Sequence, residues 1–160
     1  MTFHRTSILL MAATLFGGLL AGGNIDRGFV AMPAWEQVGS VAWGEFSRHA
    51  DLGNGLFLYP LEAFGATLLT LAAAISFYFD RLASPKAAVP LYSATLFCVA
   101  GLIFTIKAAP LMLSIRDINE PAALQIAFEG FRYWGNIRGM CQVLAFASQI
   151  WALAVLHRRG

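Results

Sequence analysis

Four long apolar stretches alternate with shorter polar ones along the chain. They cover about residues 6–30, 56–79, 87–109 and 134–156. Each approaches or exceeds the roughly 20 residues that carry a helix across a hydrocarbon core. In lipid, every backbone N–H and C=O must be paired inside its own segment, so such stretches are helices. The pattern predicts an all-α fold, a four-helix transmembrane bundle, with residues 1–160 forming a single integral membrane domain. The first stretch admits a second reading. His4 and Arg5 precede it as in a signal peptide, and Leu20-Ala21-Gly22 resembles a cleavage site. Its length exceeds that of a signal core, and Gly18 and Gly22 offer a close-packing face, which favours a retained helix.

The two long connections are amphipathic. Between Pro33 and Ala50, the residues Trp35, Val38, Ala42 and Phe46 recur on one helical face, widened by Trp43. Glu36, Gln37, Ser40, Ser47 and Arg48 fall mostly elsewhere. This predicts a helix lying on the membrane surface or over the bundle. His49 continues the apolar stripe, which brings it to the bundle mouth or to the interface. Further on, Asn119 stands as an N-cap before Glu120-Pro121. A second amphipathic helix follows, with Leu124, Ala127, Phe128 and Phe131 on one side. Gly130 and Gly135 are expected to bend it into the fourth span. Two such lids would cover a cavity reached from the outer leaflet.

Composition excludes the soluble alternative. The chain is 58% hydrophobic and 12% charged, against roughly a quarter charged for a soluble domain. A net charge of +2 without a basic run gives no footprint for nucleic acid. Cys98 and Cys141 lie inside apolar stretches without CxxC spacing, so they read as packing residues. Neither a metal nor a cofactor is expected, because no metal-ligand spacing, P-loop or nucleophile elbow occurs. The short flanks carry Arg5, Arg81, Lys86, Arg158 and Arg159. The long connections hold Asp26, Glu36, Glu45, Asp51, Asp117, Glu120 and Glu129. The positive-inside rule then places both termini in the cytoplasm, in a bacterial inner membrane.

Ionisable groups inside the spans concentrate near the far ends. Glu62 lies about two turns into the second span, Lys107 near the end of the third, and Arg138 one turn into the fourth. With alternating helix directions, all three fall at similar depth. Pairing of Glu62 with Lys107 and pairing with Arg138 both remain open. A membrane-embedded charge is costly and commonly functional, although Lys107 can snorkel and Arg138 can serve as a structural tie. Trp134, Arg138, Gln142, Ala145 and Gln149 form one stripe, expected to face the bundle interior.

Short motifs add a resemblance. Ala21-Gly22-Gly23 precedes Phe29-Val30 and Met32-Pro33-Ala34. Tyr59-Pro60 opens the second span, and Phe131, Trp134, Asn136 and Arg138 open the fourth. Together these resemble the anthrone oxygenase-like family of small four-helix membrane proteins, close to its Trp-Asn-x-x-Arg pattern. The resemblance implies a cofactor-independent oxygenase acting on an apolar aromatic substrate. Arg138 and Asn136 would stabilise an enolate oxygen, and Glu62 or His49 would act as base. Trp134 would stack on the ring, with Lys107, Gln142 and Tyr59 completing the substrate site. Two other readings stand beside it: an accessory subunit of a larger membrane complex, and a lipid- or quinone-binding protein. The partners expected are membrane lipid, an apolar small molecule, and a homo-oligomer or larger complex.

Overall fold

The computed structural model describes residues 5–79 and 85–157. His4, Arg81, Arg158 and Arg159, which entered the signal and orientation readings, lie outside the described residues. Helix α1 (Arg5–Asp26) runs through a wider π-helical turn, Arg27–Ala31, into α2 (Met32–Val38). Helix α3 (Ser40–His49) runs through a second π-helical turn, Ala50–Asn54, into α4 (Gly55–Phe79). Helices α5 (Ala88–Ser114) and α6 (Pro121–His157) follow. Four helical runs are long and apolar enough to cross a membrane, and the chain is read as an integral membrane protein. At 1.5 Å per residue α6 is on the order of 55 Å long, nearly twice a hydrocarbon core. Its first turns therefore belong to the cap over the bundle.

The spanning helices close a ring. Helix α1 packs on α4 and α6, and α5 packs on α6 and α4. The wall of α1 is a stripe of Leu10, Ala13, Gly17 and Ala21, all buried. Gly17 is required there, because an added Cβ would collide with the side-chain amide oxygen of Gln149 from α6. The expected Gly18–Gly22 face is thus displaced by one position. Gly18 touches Phe146, whereas open space surrounds Gly22. Near the termini a small core gathers Leu10, Ala73, Ala74, Leu91 and Ala152.

The opposite end carries the larger core, built from Met32, Trp43, Ala108, Met112, Ile115, Leu124, Ala127, Phe128 and Phe131. The predicted face of Leu124, Ala127, Phe128 and Phe131 is the buried one. The predicted stripe of the other connection is not. Gly39 has a φ of 96° and breaks the helix between α2 and α3, so a face counted across it loses its phase. Helix α3 buries Ser40, Trp43, Gly44 and Ser47, while Val38 and Phe46 are exposed. Trp43 is the anchor, 5.2 Å from the ring of Phe128 and 6.0 Å from that of Phe131.

Three further expectations change. Helix α6 passes Gly130 and Gly135 without a break, because Gly130 is where the side chain of Leu111 closes on the helix. Helix α5 continues past Pro110 to Ser114, since losing one hydrogen bond near a helix end is tolerable. The side chain of Asn119 accepts from Arg48 Nη2 at 3.3 Å rather than capping α6. Arg48 also donates to the carbonyls of Ile115 (2.9 Å) and Ile118, which no helix satisfies.

These contacts predict that Gly17→Leu destabilises the protein by about 1–3 kcal/mol through overpacking. Gly22→Leu, in open space, should leave the thermal unfolding midpoint in detergent close to the parent value. Equal effects at the two positions would contradict the α1–α6 packing described.

Candidate functional site

The capped end, opposite the termini, holds the charged centre. Arg27 opens the first π-helical turn and Asp51 sits in the second. The two form an ion pair, with Asp51 buried. Wider π turns displace side chains from the regular α register and recur at functional sites. Arg27 Nη2 also donates to the Tyr59 hydroxyl at 3.0 Å. Its guanidinium carbon lies 4.9 Å from the Tyr59 ring centroid and 5.7 Å from that of Phe131. The guanidinium of Arg138 lies 5.8 Å from the Phe131 ring. Phe131 therefore has a cation against it twice, an arrangement favourable to both.

Charge does not balance here. Arg27, Asp51 and Tyr59 make up the electrostatic surroundings of Arg138. Two guanidinium groups face one carboxylate. Arg138 makes no hydrogen bond among the described residues, and its Nε is buried without a partner. Its terminal nitrogens likewise have no hydrogen-bond acceptor among the described residues. A cation left over in a low-dielectric region is a receptor for an anionic or strongly polarised oxygen.

Polar ties continue below the centre. Asn24 Nδ2 donates to Gln142 Oε1 at 2.7 Å and to the Leu20 carbonyl at 2.6 Å. Gly139 lets Asn24 approach α6. Deeper still, Gln149 Nε2 donates to Thr70 Oγ1 at 2.8 Å beside Cys98. Gln142, Ala145 and Gln149 are buried on one stripe, as the periodicity predicts. Gln142 and Gln149 are interhelical ties in this arrangement.

The other anticipated residues are dispersed. Tyr59 joins the charged centre. Trp134 is half-buried and stacked on Phe104 at 6.2 Å, so one face of its ring is already occupied. Asn136 is exposed at the rim of a surface cleft. The side chain of His49 is 81% exposed and lies 3.3 Å from Glu45, turned away from the bundle. Glu62 is half-buried and Lys107 exposed, and neither has an ion pair among the described residues. The expected Glu62–Lys107–Arg138 cluster is not formed. The three groups face different neighbours around the bundle. Glu62 is one turn from Gly65, which packs on Phe16 of α1. Lys107 is one turn from Phe104, which packs on α6.

Beneath the cap, Trp43 and the Leu124, Ala127, Phe128 and Phe131 face meet in the large core. Two adjoining clefts of about 190 and 300 Å³ open between the α2–α3 segment and α6. They share Glu36, Glu129 and Arg132, and Glu36 pairs with Arg132. Among the described residues, no three His, Cys, Asp or Glu side chains converge as metal ligands. Sequence reasoning missed the Arg27–Asp51 pair, since residues 24 positions apart carry no periodic signal. No family model, curated protein or solved structure matches the chain, so the anthrone oxygenase resemblance rests on its short motifs.

Removing the charge of Asp51 leaves the half-buried Arg27 guanidinium without its carboxylate. Asp51→Asn should cost about 3 kcal/mol, whereas Asp26→Asn, at an exposed position, should cost almost nothing. Chemical or thermal unfolding of the purified variants checks this ordering.

Proposed function

We propose that the protein binds an apolar aromatic molecule carrying an acidic oxygen, held at the capped end of the bundle by Arg138. The observation behind this reading is the surplus guanidinium: Arg138 has aromatic rings near it, donors without acceptors, and no carboxylate of its own. Tyr59, an exposed ring beside the centre, offers flat apolar surface to a ring system. Arg138 offers hydrogen bonds that strengthen as negative charge grows on the ligand oxygen.

The motif resemblance extends this to oxygenation without a cofactor. A base would remove a C–H proton from an anthrone, and Arg138 would hold the resulting enolate oxygen. Molecular oxygen would accept the electrons, giving the anthraquinone and water. Glu62 and His49 lie away from Arg138, so the base in this scheme is Asp51, the carboxylate among Arg27, Tyr59 and Arg138. Asp51 is already engaged by Arg27 in an ion pair. That engagement favours a second reading, in which a quinone or similar lipid-soluble molecule is held without chemistry. In either case we place the protein in a bacterial inner membrane with both termini cytoplasmic and the capped end outside.

Binding of an anthrone or quinone to protein in lipid nanodiscs tests the proposal. Arg138→Leu should weaken binding by about 10–100-fold, the loss of charge-assisted hydrogen bonds, with the unfolding midpoint retained. Arg138→Lys should fall between. Undiminished binding by folded Arg138→Leu would exclude the site. Oxygen consumption with anthrone separates catalysis from retention. For orientation, a phosphatase fused after residue 160 should be inactive in bacteria, and one inserted at Gly39 active.

A further inference from the structure

Two charged residues within the spans, Glu62 and Lys107, have no ion pair among the described residues, and each lies in a seam between helices. Along the α1–α4 seam two contacts are closed. Phe16 packs on Gly65, with 3.0 Å between a ring carbon and the place of a Gly65 Cβ. Nearer the capped end, Arg27 donates to Tyr59. Between these contacts stand Gly23 on α1, two turns from Phe16 and one from Arg27, and Glu62 on α4, between Tyr59 and Gly65. No atom lies within 4 Å of where a Gly23 Cβ would be. The seam is open at Gly23, a notch on the α1 side; Glu62 stands on α4 between the same two closed contacts, and Leu19 and Leu61 are exposed.

The complementary group lies on the other side of the ring. Lys107 stands on the α5–α6 seam, between Phe104, which stacks on Trp134, and Leu111, which packs on Gly130. Its side chain is exposed. Glu62 follows Gly55, the start of α4, by seven residues, and Lys107 precedes Ser114, the end of α5, by seven. At 1.5 Å per residue both lie about 10 Å below the capped end. Opposite charges at equal depth on opposite faces cannot meet within one chain. Between parallel neighbours in a membrane they meet without any vertical shift.

We infer that Lys107 of a second copy enters the Gly23 notch and pairs with Glu62, joining copies head to tail in the membrane. The lysine stem lies against the leucines and its ammonium meets the carboxylate. Bare glycine lets the neighbouring helix come close. The two patches differ, so the contact is heterologous, and every copy in an assembly uses both faces. The inference is independent of what Arg138 binds.

The test counts copies of the full chain in vesicles of phosphatidylglycerol, which carry no amine headgroup, by single-molecule photobleaching. The parent protein should assemble beyond two copies. E62Q and K107Q, which remove charge conservatively, should each weaken association at least tenfold while keeping the unfolding midpoint. E62K alone presents two cations and K107E alone two anions, so each should be monomeric. Mixed, they should assemble again. Assembly unaffected by E62Q and K107Q, a monomeric parent protein, or a mixture that stays monomeric would overturn the inference. So would a monomer that retains an amine-headgroup lipid through Glu62 in native mass spectrometry.

Discussion

The ion pair between Arg27 and Asp51 joins the two places where the chain leaves and rejoins the hydrocarbon. One lies in the π turn after α1 and the other in the π turn before α4. Asp51 is buried, so its charge depends on the guanidinium that meets it. Their meeting fixes where α2 and α3 lie, and α3 in turn carries Trp43 into the core beneath it. Tyr59 is drawn in through the same guanidinium. The cap, the seam between α1 and α4, and the charged centre thus share one electrostatic anchor. Arg138 is then a second cation beside that one carboxylate.

Much of the fold was legible because hydrocarbon imposes strong rules. Length and apolarity gave four spans, and the 3.6-residue period gave the buried faces of α6 at Leu124, Phe128, Gln142 and Gln149. What failed were features decided by single residues acting across elements. Gly39 resets the helical phase through its left-handed backbone, and no count of apolar positions records that. Gly130 looked like a hinge, yet a side chain from α5 lies against it and keeps the helix straight.

The charged centre was half legible. Arg138 and Tyr59 stood out as polar groups at the ends of apolar runs. Arg27 and Asp51 lie 24 positions apart on separate elements, and only tertiary structure pairs them. Glu62, Lys107 and Arg138 were assembled from depth alone. A helix presents its residues around a full turn, so groups at one height face different neighbours. The fourth helix shows the converse: there the stripe through Gln142 and Gln149 fixed azimuth as well as depth, and its ties to Asn24 and Thr70 followed.

Arg48 and Arg132 hold the roof over the bundle in different ways. Arg48 grips backbone carbonyls beyond α5, groups that do not move independently of the helix end. Arg132 holds α2 through Glu36 alone, and that pair is 39% and 46% exposed, so dissolved ions weaken it readily. The roof is therefore latched along α3 and merely buttoned along α2. Raised ionic strength loosens the α2 edge, beside α6, before it reaches the α3 edge.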